Sequence, residues 1–514
     1  MLYYNDQWDV SERLGMEAAG DGLAKMILSV SPPFTIAVAG KWGSGKTSLM
    51  QRAFVTLGGE PISKAVPLGE LRSAQGERVY DSNLCARKQE RRTALGWNED
   101  FCKGLESSLC VWYSPWQHQG AANPLVPLLL EVKQQYLLRA KNTLADKVKE
   151  KARNGVLAGF TLLERVVDGA LMLDKKIGQP FLTGTTEAIR NIWNNGDAGL
   201  SELSDGQRFH LQFEDAIETV LRSLNADSED LAANARLVVF IDDLDRCEES
   251  AVIQLLEAIK LYLGTPRCVF VLGMDTIAVL EALRSHWPAR SEDHNREYLE
   301  KLFQATIRVP APRKTSAYHL VEQQLKEHKI PNAATWAMQL VELIEPNPRK
   351  LKNFTNSLCA VWSMHRLTAT REDDQTIRRL ILFQYLSLYH PAVWRILERQ
   401  PWALQVLRAV LMGNIQEALS LPTGYSRADQ RMMESYFSRS FAHILRHNSS
   451  DPSKDEKHRG VEMEKAVELF LERIDRKRSD EVFARLAQET FTNEDEVDEC
   501  FLSIVAAQAT GANP

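Results

Sequence analysis

The sequence predicts an α/β fold with a mainly parallel central sheet flanked by helices, followed by an all-helical lid and a helical C-terminal region. Apolar runs within residues 34–40, 107–115, 237–241 and 267–275 are typical of strands buried on both faces of a parallel sheet. Helical patterns lie between these runs, as parallel connections require. Beyond residue 315 the apolar residues recur at helical spacing, which predicts helices alone up to residue 400.

The composition is that of a globular protein with a large core. Of its 514 residues, 44% are hydrophobic and 25% are charged. The net charge of −6 argues against a basic surface over the whole chain, of the kind that binds nucleic acid. The seven cysteines form no CxxC pair, which favours free thiols in a reducing cytosol. The N-terminal stretch has no signal-peptide pattern, and we expect a cytoplasmic protein.

The best candidate for a membrane-spanning segment is residues 155–173. It carries Glu164, Arg165 and Asp168 near its centre. Each of these charges is costly in hydrocarbon. We therefore expect a helix that packs on other helices, and no membrane span.

A glycine-rich turn, "GKWGSGKT" at residues 40–47, follows the first strand and precedes a helix. Its spacing, G-x-x-x-x-G-K-[ST], is typical of a P-loop, in which backbone N–H groups and a helix N-terminus surround phosphate groups. We predict that Lys46 reaches the β- and γ-phosphates of ATP and that the Thr47 hydroxyl is a ligand of Mg²⁺. The predicted nucleotide-binding residues are Gly40, Trp42, Gly43, Ser44, Gly45, Lys46, Thr47 and Ser48.

A pair of acids follows the apolar run at residues 237–241. Ligands of open parallel sheets bind at the carboxyl ends of the strands. We therefore predict that Asp242 contacts Mg²⁺ together with Thr47, and that Asp243 polarises the attacking water. The alternative for Asp243 is a cap on the following helix. Asp245 and Arg246 are interpreted as a structural pair, with phosphate sensing by Arg246 as the alternative.

Other polar side chains are weaker candidates. Asp275 follows a buried run and is either a γ-phosphate sensor or the N-cap of the next helix. Lys301 and Arg308 are candidate cations, although structural ion pairs are the favoured interpretation. Gln304 is a candidate polar lining of the site, and Trp116 is expected to anchor a loop or the core rather than to stack on a base.

Six blocks, in order, resemble the KAP family of P-loop NTPases. They are "AVAGKWGSGKTSLM", "VWYSPWQHQGAANPLVPLLLEV", "VVFIDDLDRC", "CVFVLGMDTIAVLEAL", "YLEKLFQATIRVPAP" and "NPRKLKNFTNSL". They cover most of residues 9–400. The tryptophan inside the P-loop and the Ser-Pro-Trp sequence at a strand end are more specific signals than the P-loop itself.

The resemblance implies an ATP-binding domain of the additional-strand type, related to the STAND and AAA-like ATPases. We assign residues 1–312 to this domain, with a polar insertion near 58–107 and a helical insertion near 140–205, residues 313–400 to the helical lid, and 401–514 to the C-terminal region. Members of the family often carry transmembrane helices in an insertion, and this chain shows no spanning segment there.

Arg349 follows a proline at a predicted helix start and resembles the lid arginine that reports on the γ-phosphate. ATP hydrolysis in this class usually needs a cation that stabilises the transition state. We therefore predict a catalytic role for Arg349, with a solvated charge at a helix start as the alternative.

Soluble bacterial members of the family are similar to ATPases of anti-phage systems, including the Qatuor type. This implies an ATP-driven switch or assembly subunit of a defence complex. The chain would form a homo-oligomer, bind proteins from the same operon that carry the effector chemistry, or do both. The alternative is a nucleic-acid-stimulated clamp or motor that contacts DNA or RNA through the polar insertion. Its cations would be Arg87, Lys88, Arg91 and Arg92, for which a solvated helical face is the other interpretation.

Overall fold

The computed structural model describes residues 14–59, 85–86, 89–118, 124–145, 150–173, 205–225, 231, 234–261, 264–368, 373–389 and 394. They form two compact units, one between residues 7 and 311 and the other from residue 312 onward. The predicted C-terminal helices of residues 401–514 lie outside the described residues.

The first unit contains a five-stranded sheet in which every strand pair is parallel. The strands are β1 (Phe34–Ala39), β2 (Leu109–Tyr113), β3 (Leu237–Ile241), β4 (Cys268–Met274) and β5 (Ala305–Arg308). Their order across the sheet is β2-β3-β4-β1-β5. The strand β4 therefore lies between β1, which leads into the glycine-rich turn, and β3, which leads into the acid pair. This confirms the predicted parallel sheet and its additional strand.

Two cores cover the two faces of the sheet. Ile36 and Val38 of β1 pack in a cluster with α1 and α2, whereas Ala37 belongs to the cluster on the opposite face. Because both faces are covered, β3 and β4 are buried along their whole length. Such strands are continuous apolar runs, and for this reason they can be recognised in the sequence.

The edge strand β5 was not predicted. It has four residues that alternate between half-buried and exposed, and among the described strands it pairs only with β1. A short strand with one neighbour has a weak apolar signal, so its sequence does not distinguish it from a loop.

The helices of this unit are α1 (Glu17–Ser29), α2 (Lys46–Thr56), α3 (Gln89–Leu95), α4 (Glu99–Ser107), α5 (Leu125–Ala145), α6 (Glu150–Leu173), α7 (Asp205–Leu224), α8 (Glu249–Leu261), α9 (Thr276–His286) and α10 (Glu292–Leu302). The helix α6 contains residues 155–173, the candidate membrane-spanning segment, and packs against α5 and α7. An ion pair of 2.8 Å joins Lys133 of α5 to Glu164 of α6. No helix in the described part of the chain is long and apolar enough to cross a membrane.

The polar insertion begins after α2, and its described helices α3 and α4 lie near α1. Asp21 of α1 pairs with Arg91 of α3 at 2.7 Å and with the buried Arg52 of α2 at 3.0 Å. Arg92 pairs with Glu106 of α4 and donates to the carbonyl of Ala86 at 2.8 Å.

These contacts change the interpretation of the basic cluster. Arg91 and Arg92 are partly buried ion-pair partners, so neither a solvated helical face nor a phosphate-binding surface describes them. The other two predicted cations, Arg87 and Lys88, lie outside the described residues.

The described part of the second unit is helical, with α11 (Lys314–Glu327), α12 (Ala333–Leu343), α13 (Pro348–Thr368) and α14 (Asp374–Tyr389). The helix α13 begins at a proline, as the sequence suggests. The side-chain oxygen of Asn347 accepts the N–H groups of Arg349 and Lys350 at 3.1 and 3.2 Å, which caps this helix.

Candidate nucleotide-binding site

The turn between β1 and α2 owes its shape to its glycines. Gly43 and Gly45 have φ values of 75° and 99°, in the left-handed region that favours glycine. A Cβ atom on Gly40 would collide with Ser44 Oγ. The N–H of Gly40 donates to the carbonyl of Met274 at 3.1 Å, which anchors the turn to β4.

The turn has features that fit a bound anion. No side chain caps α2 at Gly45. The first N–H groups of an α-helix have no partner within the helix, and they carry partial positive charge. Ser44 Oγ is buried and makes no hydrogen bond with any described residue. A phosphate group at this place would supply the missing acceptors.

Lys46 is held by groups of its own chain. Its Nζ atom lies 2.9 Å from Asp245 Oδ2 and 3.0 Å from the carbonyl oxygen of Gly40. The side chains of Lys46 and Asp245 are only 8% and 6% exposed. Asp245 therefore balances the charge of Lys46, a role that the sequence predicts for a phosphate oxygen of the nucleotide.

The predicted metal ligands are in contact. Asp242 follows β3, is buried, and accepts a hydrogen bond from the Thr47 hydroxyl. Burial raises the pKa of Asp242 to about 6, and the adjacent Asp243 adds to this, while Thr47 and Lys46 oppose it. A carboxylate and a hydroxyl are hard oxygen donors, which fit Mg²⁺.

A glycine of β4 makes room for this carboxylate. A Cβ atom on Gly273 would lie 2.9 Å from Asp242 Oδ1 and 2.7 Å from Met50 Sδ. Real Cβ atoms do not approach other atoms this closely, so Asp242 can occupy its position because residue 273 is a glycine.

Asp243 adopts a left-handed backbone conformation, with φ 59° and ψ 30°. It precedes a short 3₁₀ turn at Leu244–Arg246, and its side chain does not cap that turn. Its Oδ1 atom instead lies 2.8 Å from Arg246 Nε. The capping alternative is therefore wrong for Asp243.

Arg246 lies between two tryptophans. Its guanidinium carbon is 4.7 Å from the ring centroid of Trp42 and 5.4 Å from that of Trp116. The sequence predicts Asp245 and Arg246 as a pair, whereas the ion pairs of the described residues join Asp245 to Lys46 and Arg246 to Asp243. Trp116 is 46% exposed, so it is not a core residue, and its described ring contact is with the arginine.

A family model described as the KAP family P-loop domain matches residues 18–364, which is more than half of the chain. The chain belongs to the KAP family of P-loop NTPases. The resemblance drawn from the six sequence blocks is confirmed, and the corner formed by Lys46, Thr47 and Asp242 lies within the matched P-loop domain. The likeness to anti-phage members of the family stays a prediction.

The solved structures to which this KAP chain is similar include the ORC2 protein of Aeropyrum pernix in ADPNP and ADP complexes and a Walker-type ATPase of Pyrococcus abyssi. The first is 11% identical with a TM-score of 0.35, over 98% of each chain. The second is 13% identical with a TM-score of 0.32, over 94% of this chain and 99% of the other. The comparison with curated proteins found no match.

Two weaker candidates, Asp275 and Gln304, make hydrogen bonds with backbone groups of their own chain. Asp275 Oδ1 accepts the N–H of Ile277 at 3.0 Å, so this residue caps α9. Gln304 Oε1 accepts the N–H of Thr35 at 2.7 Å, at the amino end of β1. Because the P-loop follows the opposite end of that strand, the prediction that Gln304 lines the site is wrong.

The remaining cations differ in their placement. Lys301 and Arg308 are exposed, and neither makes an ion pair within the described ranges, so the favoured interpretation as structural ion pairs is not supported. Arg308 ends β5, opposite Ala39 of β1. Arg349 is the second residue of α13 in the helical unit, and its catalytic role stays a prediction.

Two contacts of the site were missed from the sequence. These are the ion pair between Lys46 and Asp245 and the placement of Arg246 between the two tryptophans. The available signal was that Trp42, Trp116 and the acid-rich turn each follow the carboxyl end of a strand. In a parallel sheet these ends meet at one edge.

Proposed function

We propose that this KAP-family chain binds ATP with Mg²⁺ and hydrolyses it, and that it acts as a nucleotide-driven switch or assembly subunit. The observation that supports this most strongly is the convergence of four groups at one corner of the sheet. The P-loop lysine, the hydroxyl that follows it, and both acids after β3 lie at the carboxyl ends of β1 and β3, the two strands on either side of β4.

Each group has a distinct role in this proposal. The N–H groups of the P-loop and Lys46 bind the β- and γ-phosphates, and Lys46 leaves Asp245 when they do. Thr47 and Asp242 hold Mg²⁺, which neutralises charge on the phosphate oxygens. Asp243 orients and polarises the attacking water. Arg349 is the proposed cation that stabilises the transition state.

The biological setting proposed here rests on the resemblance to soluble bacterial KAP members. It is a cytoplasmic anti-phage complex in which a partner protein of the same operon carries the effector chemistry, with self-association of this chain as a further possibility. The nucleic-acid alternative receives less support, because Arg91 and Arg92 are engaged in ion pairs with Asp21 and Glu106.

The test is equilibrium binding of a fluorescent ATP analogue with and without Mg²⁺. We expect Lys46→Ala to weaken binding at least tenfold, because a direct charge-assisted phosphate contact is lost, and we expect binding to be Mg²⁺-dependent. Lys301→Ala is the matched control, because Lys301 is an exposed lysine that precedes the amino end of β5, at the opposite end of the sheet from the P-loop. Equal affinity of wild type and Lys46→Ala would overturn the assignment of the site.

The same protein tests the choice between a switch and a clamp. ATP turnover is measured with and without duplex and single-stranded DNA at low and high salt. We expect turnover that is indifferent to DNA. Strong stimulation that disappears with salt would favour the nucleic-acid alternative, because phosphate contacts are lost steeply as salt rises.

A further inference from the structure

The contacts of Arg246 join three segments that are far apart in sequence. Trp42 belongs to the P-loop, Trp116 follows β2, and Arg246 ends the 3₁₀ turn after β3. The guanidinium carbon lies 4.7 Å from one indole centroid and 5.4 Å from the other. Its Nε atom lies 2.8 Å from Asp243 Oδ1. We call Trp42, Arg246 and Trp116 the tryptophan clamp.

The clamp suits an arginine for geometric reasons. A guanidinium is planar, so it can stack on aromatic faces while its positive charge lies beside a carboxylate. Both tryptophans are about half exposed, at 48% and 46%, although each is a large apolar side chain. Stacking on the arginine covers part of each ring and keeps the guanidinium in place.

Asp243 needs a group that holds it. Its backbone is in the left-handed region, which is disfavoured for a residue with a side chain and persists only where the surroundings impose it. Asp242 and Asp245 are its close neighbours in sequence, and both bring negative charge to the same corner. Arg246 supplies the opposite charge to Asp243, as Lys46 does to Asp245.

We propose that Arg246 is a positioning residue for ATP hydrolysis: held between Trp42 and Trp116, it fixes the carboxylate of Asp243 beside the P-loop. This inference rests on the proposed function of the same site. Arg246 acts through Asp243, and Trp116 acts through Arg246. Trp42 connects the clamp directly to the loop that binds the phosphates.

The test separates positioning from substrate binding. We measure kcat, KM and the Kd of ATP for wild type, Arg246→Ala and Arg246→Lys. We expect Arg246→Ala to lower kcat at least tenfold while Kd changes less than about twofold, since only the orientation of Asp243 is lost. Arg246→Lys keeps the charge without the planar stack, and we expect it to recover kcat in part.

A matched control exists in the same unit. Arg290 stacks on Trp287 at 3.8 Å, and Arg290 is exposed. Arg290→Ala removes an arginine–tryptophan stack away from the P-loop, and we expect unchanged kcat and Kd. Thermal unfolding of every variant identifies any loss of turnover that comes from misfolding.

Double-variant cycles test the order of action. Trp116→Leu is expected to lower kcat about threefold to tenfold, Trp116→Phe less, and Trp116→Leu combined with Arg246→Ala no more than Arg246→Ala alone. In an Asp243→Asn background, Arg246→Ala is expected to have no further effect on the residual turnover. Independent, multiplicative losses in either cycle would overturn the proposal.

The outcomes also separate this inference from the proposed function. Wild-type turnover together with an unchanged kcat in Arg246→Ala refutes the positioning role alone. A large rise in Kd with unchanged kcat makes Arg246 a binding residue and refutes it as well. A wild-type chain that binds ATP without hydrolysing it refutes the proposed hydrolysis, and the positioning role with it.

Discussion

Lys46 already has a carboxylate partner before any phosphate arrives. The ion pair with Asp245 is almost fully buried, and its two atoms are 2.9 Å apart. Breaking a buried pair costs free energy, because both charges were desolvated to form it. If ATP binds as proposed, the phosphate oxygens compete with Asp245 for the same cation.

This competition predicts the effect of Asp245→Asn. The amide keeps the size of the side chain and removes its charge, so we expect the Kd of ATP to fall by about threefold to tenfold, which is roughly 1 kcal/mol. Isothermal titration calorimetry measures it. Glu249→Gln, which neutralises an exposed acid in the first turn of α8, is the control and should leave Kd unchanged. An unchanged or higher Kd in Asp245→Asn would show that Asp245 does not compete.

The raised pKa of Asp242 predicts a pH dependence of folding stability. Its pKa is about 6 in the folded protein, against about 4 in an unfolded chain. The folded state therefore binds this proton more tightly, and the contribution of Asp242 to the free energy of unfolding falls as pH rises from 4 to above 6. Asp242→Asn lacks this dependence.

We therefore expect metal-free Asp242→Asn to be more stable than wild type at pH 8, by on the order of 2 kcal/mol, with the difference closing towards pH 4. Thermal unfolding in EDTA across this pH range measures the difference. Added Mg²⁺ and ATP should stabilise wild type more than the variant, because the variant loses a proposed metal ligand. Parallel pH profiles of the two proteins would contradict this account.

At the level of elements, β4 shapes the site although none of its side chains is a predicted ligand. The carbonyl of Met274 in β4 accepts the N–H of Gly40, and Gly273 of β4 packs against the side chain of Asp242. Gly273→Ala would place a methyl group against Asp242 Oδ1, and overpacking of this kind costs about 1–3 kcal/mol. We expect it to weaken Mg²⁺-dependent ATP binding about tenfold.

Gly22→Ala serves as the control for Gly273→Ala. Gly22 lies in α1, and a Cβ atom there would meet nothing within 4 Å. This variant should bind ATP normally and be as stable as wild type or slightly more so, since alanine favours a helix. Normal Mg²⁺–ATP binding by Gly273→Ala would show that the position of Asp242 does not depend on the glycine.

The ion pairs made by α3 and α4 indicate a structural role for the arginines of the polar insertion. Arg91 shares Asp21 with Arg52, and Arg91 is 17% exposed. We expect Arg91→Ala to lower the free energy of unfolding by about 1–2 kcal/mol, because a charged hydrogen bond is lost in a partly buried place. We expect Arg91→Ala and wild type to show the same DNA binding at low salt.

The comparison variant is Arg296→Ala, which removes an exposed pair with Glu292 along α10. Such surface pairs contribute at most about 0.5 kcal/mol, so this variant should unfold like wild type. A fully stable Arg91→Ala that loses DNA binding would restore the phosphate-contact interpretation.

The elements found from the sequence share a physical property. The strands β1 to β4 are buried on both faces, and α13 begins at a proline, so local sequence reflects local structure. The edge strand β5 and the partners of Arg91 could not be found this way. β5 carries little apolar signal, and the ion pair of Arg91 joins residues 70 positions apart.

At the scale of the whole molecule, the predicted corner of Lys46, Thr47 and Asp242 is present, because Asp242 directly follows a strand and Lys46 and Thr47 are the first two residues of a helix. The ion-pair partners of the acids in the turn after β3 could not be predicted. Whether Asp245 contacts Lys46 or Arg246 depends on the backbone of a three-residue turn and on the left-handed conformation of Asp243. No periodic pattern encodes such a turn.

The measurement that tests the central claim most directly is steady-state ATP hydrolysis with Mg²⁺ by the full-length chain and by Asp243→Asn, with ATP binding measured on the same samples. The account predicts turnover by wild type, and a loss of at least a hundredfold in the variant with ATP still bound, because only the group that polarises water is removed. Equal turnover by both proteins, or tight binding by wild type with no turnover, would contradict it.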